Sequence, residues 1–310
     1  MKISVVIVTY NKKNDLLLSI MSLSHQTKKF DEIIIVDNNS IDGTKELLLK
    51  EGLINNDSDR NVKLNNNEFT VHYKNSGANI GGAGGFALGQ KIALSRDADV
   101  IWFTDDDAVC NPDALEKLYS ALLNTDYDIV NPLVVDVENN EKLSFGLSKE
   151  IQTVEDAILI KDERGLIPDL ANPFNGTLFL SSFVRDIGFV KSEMFIWGDE
   201  VEYIKRAKNS GRKIATVVDA KVYHPRSKTT YEPFMFGLLK MEVKPEKLQM
   251  NYYRNRGYLA GKYEFGLRKY RFFIKSFFYF LSKIELRLLC IFICYYLDGY
   301  FDKYKLPNVR

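Results

Sequence analysis

Val100-Ile101-Trp102-Phe103-Thr104-Asp105-Asp106-Asp107 is the stretch that decides the fold. A short run of β-branched and aromatic residues is what a strand buried on both faces looks like, and this one stops on three consecutive carboxylates. Two earlier runs have the same design. Residues 3–8 form a near-continuous apolar run, and residues 33–36 form another, closed by Asp37-Asn38-Asn39-Ser40. Between them, 13–24 reads as a helix with Leu16, Leu17, Ile20 and Leu23 on one side. Asp42-Gly43-Thr44 leads into a second helix over 45–50. Residues 55–67, rich in Asn and Asp, read as a loop or surface insertion, and 70–73 as a short strand. Strands alternating with helices at this spacing imply βαβ units, hence an α/β fold with a mostly parallel central sheet. Strands that close on polar residues place a binding crevice at their C-terminal ends.

Beyond residue 130 the pattern loosens. Residues 130–137, 142–147 and 177–181 are expected to add antiparallel strands. Residues 200–209 read as a helix, and 213–223 as a strand that delivers His224. Near residue 231 the composition turns aromatic and basic. The expected organisation is therefore a domain over 1–230 and a C-terminal helical segment over 231–310.

Composition bounds the rest. The 310 residues are 45% hydrophobic and 27% charged, which excludes global disorder. A net charge of +1 argues against a surface built throughout for nucleic acid. Three cysteines, Cys110, Cys290 and Cys294, are too few for a disulfide scaffold and match no zinc pattern. Cys290 and Cys294, one helical turn apart, read as buried apolar positions. The N-terminal run reads as a strand and not a signal peptide, so the expected compartment is the cytoplasm.

The near-neutral total hides an asymmetry. Residues 251–310 hold twelve Lys+Arg against four Asp+Glu, together with eighteen aromatics. That leaves an acidic body with a basic, aromatic tail. Its longest uncharged run is 288–297, short of the roughly 20 apolar residues a membrane span needs. Four readings remain for the tail: contact with a membrane surface, a nucleic-acid patch, a helical subdomain that packs its own aromatics, or a homo-oligomer interface.

Several residues carry chemistry. Three adjacent carboxylates repel one another unless a cation sits among them. Hard oxygen ligands at a strand end suit Mg²⁺ or Mn²⁺ beside substrate phosphates. The bland alternative is a solvated acidic turn. Asp37 has the position to accept from a nucleobase or ribose, or simply to bond its own turn. The glycine-rich stretch 77–89 satisfies a loose G-x-G-x-x-A pattern, but it lies outside the first βα turn, so a dinucleotide site is rejected. It reads instead as a loop that passes close to a ligand or another element, with a helix over 86–94. Trp197-Gly198-Asp199-Glu200-Val201-Glu202 puts three carboxylates at a helix start, where the helix dipole favours them. A carboxylate beside a tryptophan also suits a general base facing a sugar.

In this order and spacing, the opening Val5-Val6-Ile7-Val8-Thr9-Tyr10-Asn11, then Ile35-Val36-Asp37-Asn38-Asn39-Ser40, then Asp105-Asp106-Asp107 resemble glycosyltransferase family 2, inverting enzymes of the GT-A fold. The match covers about residues 1–230. Asn79-Ile80-Gly81-Gly82-Ala83-Gly84-Gly85-Phe86 and the Trp197 segment are similar to bacterial galactofuranosyltransferases. Tyr252-Tyr253-Arg254-Asn255 also occurs there and in related rhamnosyltransferases.

The resemblance implies a role for each site residue. Thr9, Asp37, Asn79, Asp105 and Asp106 would bind the nucleotide-sugar. Asp105, Asp107 and His224 would hold Mn²⁺ or Mg²⁺. Glu200 would be the catalytic base, where those enzymes usually show Asp, which leaves Asp199 as a rival. Trp197 would contact the acceptor. The implied reaction moves galactofuranose from a UDP-sugar to a lipid-linked glycan acceptor at the inner face of the membrane, for bacterial surface polysaccharide. The alternatives are a dTDP-rhamnose donor on the same fold, a non-catalytic sugar-nucleotide-binding or scaffold protein, and a nucleic-acid binder. No recognisable nucleic-acid module supports the last.

Overall fold

The computed structural model describes residues 1–56, 59–65, 67–226 and 229–304. The chain forms two compact units, Met1–Ser192 with Arg206–Ser227, and Glu193–Lys205 with Lys228–Arg310.

The first unit is built on a ten-stranded mixed sheet. In chain order its elements are β1 (Ile3–Thr9), α1 (Lys13–Ser24), β2 (Glu32–Asp37), α2 (Thr44–Lys50), β3 (Arg60–Leu64), β4 (Asn67–Asn75), α3 (Gly81–Ser95), β5 (Val100–Asp105), β6 (Val109–Cys110), α4 (Ala114–Asn124), β7 (Ile129–Asp136), α5 (Val154–Ile160), β8 (Leu166–Pro168), β9 (Leu178–Leu180), α6 (Ser181–Ile187) and β10 (Ile214–His224). The strand order is β3-β4-β2-β1-β5-β9-β7-β10-β6, with β8 on β10. The long ladders, β4-β2-β1-β5 and β7-β10, are parallel.

All seven residues of β1 and all six of β2 are buried, as expected of strands covered by helices on both faces. Register then positions the strand ends. Thr9 pairs with Asp37 across β1 and β2, and Val8 with Asp105 across β1 and β5. The polar residues that close the three central strands therefore lie side by side.

The glycine-rich stretch departs from its reading as a loop. Helix α3 already begins at Gly81. A Cβ on Gly85 would sit 2.4 Å from Val8 Cγ1, and one on Gly89 would sit 2.2 Å from Val6 Cγ1. The glycines bring α3 hard against β1, so the close approach is to another element. Other differences follow from pairing partners that local sequence does not reveal. The reading of 55–67 as a loop is corrected by β3, which pairs antiparallel with β4; positions 57, 58 and 66 lie outside the described residues. The 130–137 strand was expected to be antiparallel, but β7 runs parallel to β10 and antiparallel only to β9. Residues 142–147 make only isolated bridges, Val135 to Leu143 and Lys142 to Thr153.

Helix α7 (Asp199–Asn209) carries residues of both units. The remaining elements of the second unit are a hairpin of β11 (Thr230–Phe234) and β12 (Leu239–Val243), followed by α8 (Glu246–Tyr263), α9 (Arg268–Ser282) and α10 (Leu286–Tyr300). The hairpin is a departure within the segment expected to be helical, and the three helices follow it. Tyr253, Phe280, Phe292 and Tyr296 are buried in its core. Tyr253 and Phe292 meet edge to face, with ring centroids 5.2 Å apart, a favoured aromatic geometry.

Helices α8 and α10 pack backbone to backbone. A Cβ on Gly257 would lie 2.0 Å from the Tyr296 carbonyl oxygen, and one on Gly299 would lie 1.8 Å from that of Arg254. The buried face of α10 is Leu289, Phe292, Tyr296 and Gly299. That spacing turns Cys290 and Cys294 to the opposite side. Both are exposed, contrary to the reading of them as buried positions. Among the described residues, no helix is long and apolar enough to cross a membrane.

Candidate active site

Asp105 ends β5, Asp106 and Asp107 follow in the turn, and His224 ends β10. The His224 Nε2 lies 2.9 Å from Asp107 Oδ1 and 3.9 Å from Asp105 Oδ2. One ligand atom from each of Asp105, Asp107 and His224 falls within 4.8 Å of the others. The strand that the sequence assigned to deliver His224 thus brings it to the aspartates.

The imidazole is already oriented. Its Nδ1 lies 2.6 Å from the Pro225 carbonyl. A carbonyl only accepts, so Nδ1 carries the proton and Nε2 faces the carboxylates. With the Nδ1 proton held by a backbone carbonyl, loss of the Nε2 proton would leave the nitrogen that faces the carboxylates free to ligate.

Lys12, which the sequence reading passed over, completes the cluster. Its Nζ lies 2.5 Å from Asp107 Oδ2 and 3.4 Å from Asp106 Oδ1. Its signal was a cation just past Thr9, at the end of a strand whose neighbour closes on three acids. Burial would lower the lysine pKa, but Asp106 and Asp107 outweigh it and raise it. Burial would likewise raise Asp107, yet the His224 hydrogen bond and charge, with Lys12, hold it well below the usual carboxylate range. Asp105 goes the other way: desolvation, reinforced by Asp107 and Asp106, raises it. Burial raises Asp106 as well. Two carboxylates with opposite tendencies beside a fixed imidazole are a charge-poised site.

The remaining first-unit residues lie near these strand ends. Thr9 and Asp37 are both buried at 1% exposure. Asp37 accepts from the Ser40 N–H at 2.8 Å and from the Tyr73 hydroxyl at 2.5 Å. Burial and the Asp37 charge push the Tyr73 hydroxyl pKa up. Asn79 accepts from the Gly81 N–H at 2.9 Å through its side chain, opening α3. Asn38 was quoted in the sequence without a role. Its amide donates to the Gly81 carbonyl at 3.0 Å and ties the end of β2 to that turn.

The second unit carries Trp197, Asp199 and Glu200. Phe195 and Trp197 both have left-handed backbones, with φ of 62° and 61°. For bulky residues this costs about 1–3 kcal/mol each and persists only when the surroundings impose it. Here α8 imposes it. The Asn255 amide lies 2.7, 3.1 and 2.9 Å from the carbonyls of Met194, Ile196 and Trp197. The Lys244 ammonium sits 4.5 Å from the Trp197 ring centroid.

The three acids at the start of α7 differ. Glu202 is buried and accepts from the Tyr263 hydroxyl at 2.7 Å. Glu200 accepts from the Gly198 N–H at 2.9 Å, a contact that serves the helix start. Asp199 is the first residue of α7 and 5% exposed.

The family described as Glycosyl transferase family 2 matches residues 4–179. Galactofuranosyltransferase GlfT1 of Mycobacterium tuberculosis H37Rv is 32% identical over 268 residues, covering 85% of this chain and 83% of that protein. GlfT1 of Mycolicibacterium smegmatis is 30% identical over 275 residues, covering 85% and 84%. Among solved structures, S. aureus TarS 1-349 in complex with UDP superposes with a TM-score of 0.56 at 18% identity. That superposition covers 84% of this chain and 64% of TarS 1-349, and it bears on the fold alone.

Proposed function

This chain belongs to glycosyl transferase family 2, and from that premise we propose that it transfers galactofuranose from UDP-galactofuranose to a hydroxyl of a lipid-linked glycan acceptor. That it is a glycosyltransferase of GT-A-like fold follows from the family and from the structural neighbours. The galactofuranose donor rests on one observation: relatives at 30–32% identity over most of the chain are named galactofuranosyltransferases. The UDP carrier is part of the same proposal.

In this reading Thr9, Asp37 and Asn79 line the uridine side of the strand ends. Asp105 and Asp106 face the sugar-diphosphate, and Lys12 offers the diphosphate a cation. Two carboxylate oxygens and one imidazole nitrogen within 4.8 Å suit Mn²⁺ or Mg²⁺. Asp105, Asp107 and His224 would hold the ion, which supplies neutralisation of charge on the leaving diphosphate. Glu200 or Asp199 takes the proton of the acceptor hydroxyl as it attacks the anomeric carbon. Glu200 is the first choice for that role and Asp199 its rival. Trp197 presents a face to the acceptor. The C–O bond to UDP breaks as the new glycosidic bond forms, through an oxocarbenium-like transition state, and one displacement inverts the anomeric centre. In this reading the basic C-terminal unit meets the inner face of the membrane, where each Lys or Arg would contribute roughly 1 kcal/mol near anionic lipid.

The test is product analysis by NMR with UDP-galactofuranose and a lipid-linked glycan acceptor. A galactofuranosyl product of inverted anomeric configuration supports the reading. Retention of configuration, or UDP release without transfer, overturns the mechanism.

A further inference from the structure

The second unit contains a cavity of about 930 Å³, walled by α8, α9 and β12. Its lining is unevenly charged. Lys205, Arg256, Arg268, Arg271 and Lys275 face two carboxylates, Glu242 and Glu264. Glu242 is already engaged: it pairs with Lys244 at 2.6 Å and accepts from the Tyr252 hydroxyl at 3.1 Å. Among the described residues, Glu264 pairs only with Arg256, at 3.8 Å. The Arg256 guanidinium lies 4.8 Å from the Phe272 ring centroid, and its Nε is buried without a hydrogen bond among the described residues. Arg268, Arg271 and Lys275 have no carboxylate within pairing distance among those residues. A cavity with this surplus of guanidinium groups is complementary to phosphate oxygens.

A second feature runs beside the cations. Leu267, at 89% exposure, shares the cavity lining with Phe265, at 80%. From Leu267 the exposed apolar residues Tyr270, Ile274, Phe278 and Leu281 continue along α9. Their spacing of three and four residues makes one stripe on the helix surface, and Arg268, Arg271 and Lys275 make the neighbouring one. A basic cavity that opens onto an apolar track fits an anionic head with an apolar chain. A free anion or a nucleotide would use the cations but leave the track bare.

We propose that this cavity binds the phosphate-bearing head of an amphiphile, with its apolar chain along α9. This deepens the lipid-linked acceptor reading above and rests on it for its biological meaning. The physical claim can be tested without donor or turnover.

The experiment is calorimetric titration of the full-length protein, free of metal and donor, with farnesyl diphosphate. The expected result is binding at least tenfold tighter than that of inorganic pyrophosphate. The variant Arg268→Gln/Arg271→Gln/Lys275→Gln should weaken it at least tenfold, with an unchanged unfolding midpoint. Arg271→Glu, at an exposed position, is the second variant should the triple one misfold, and should lower affinity in the same direction. Ile274→Ser/Phe278→Ser should erase the preference over pyrophosphate. Equal binding of the two ligands overturns the amphiphile claim. Displacement of farnesyl diphosphate by UDP places the ligand in the nucleotide site and overturns it too. Loss of anionic-vesicle binding in the charge variants, with farnesyl diphosphate affinity unchanged, would assign the basic stripe to a membrane surface instead. Failure of the protein to use UDP-galactofuranose would leave all of these results standing, so the two readings fail separately.

Discussion

The side-chain amide of Asn255 lies 2.9 Å from the carbonyl oxygen of Trp197, donating to it from the middle of α8. The same amide reaches the carbonyls of Met194 and Ile196, and the Asn255 oxygen accepts from the Tyr304 hydroxyl at 2.9 Å. Asn255 is 1% exposed. A buried amide satisfied on both ends is a rigid clamp, and it holds the segment that presents Trp197, Asp199 and Glu200.

Asn255→Asp keeps the shape but removes the donors. Turnover should fall at least tenfold, while nucleotide affinity, measured by calorimetry with UDP, stays within twofold. Asn255→Ala should behave alike. Equal loss of UDP affinity would show that Asn255 supports the whole fold and not the Trp197 segment.

Glycines on one face of α3 make opposite predictions. Gly89→Val inserts atoms where a Cβ already meets Val6 Cγ1 at 2.2 Å, and overpacking of this kind costs about 1–3 kcal/mol. Gly82→Ala meets nothing within 4 Å, in a helix without a left-handed φ at that residue. It should be neutral or stabilising by up to ~1 kcal/mol. Urea midpoints check both, and a stable Gly89→Val would contradict the close packing of α3 on β1.

The three thiols should separate by accessibility. Cys110 is buried, and burial pushes its thiol up to about 12. Because the thiolate is the reactive form, Cys110 should resist alkylation at pH 8, while Cys290 and Cys294 react. Mass spectrometry after brief iodoacetamide treatment reads the pattern directly.

Much of this was legible in the sequence, for physical reasons. A strand buried on both faces must be apolar throughout, so 3–8, 33–36 and 100–104 announced themselves. Because those strands are parallel and adjacent, their polar ends had to share one edge of the sheet, and Asp37 and the three aspartates followed. His224 was legible because it ends an apolar run. Lys12 was not, since a lysine in a turn reads as solvated until the fold brings it to Asp107. The glycines of α3 were misread because glycine weakens a helix locally, and only contact with Val6 and Val8 explains them. The Asn255 clamp joins residues 58 to 61 positions apart, and no local pattern encodes that. Cys290 and Cys294 were placed wrongly because spacing shows that two residues share a face, not which face.

Asp107→Ala tests the assignment of the ion. It removes the carboxylate that faces His224 Nε2 at 2.9 Å and Lys12 Nζ at 2.5 Å. Mn²⁺ binding, followed by calorimetry or paramagnetic relaxation, should fall at least tenfold, and so should metal-dependent gain in UDP affinity. Wild-type Mn²⁺ affinity in the variant would refute the ligand assignment.

The donor is the central claim, and one titration addresses it. Calorimetry with Mn²⁺ should compare UDP-galactofuranose, UDP-galactopyranose, UDP-glucose and dTDP-rhamnose on the same protein. The expected outcome is tightest binding of UDP-galactofuranose, with affinity lost in Asp107→Ala. Preference for dTDP-rhamnose would keep the family and the fold but contradict the donor, and binding of none of the four would contradict the account of the site itself.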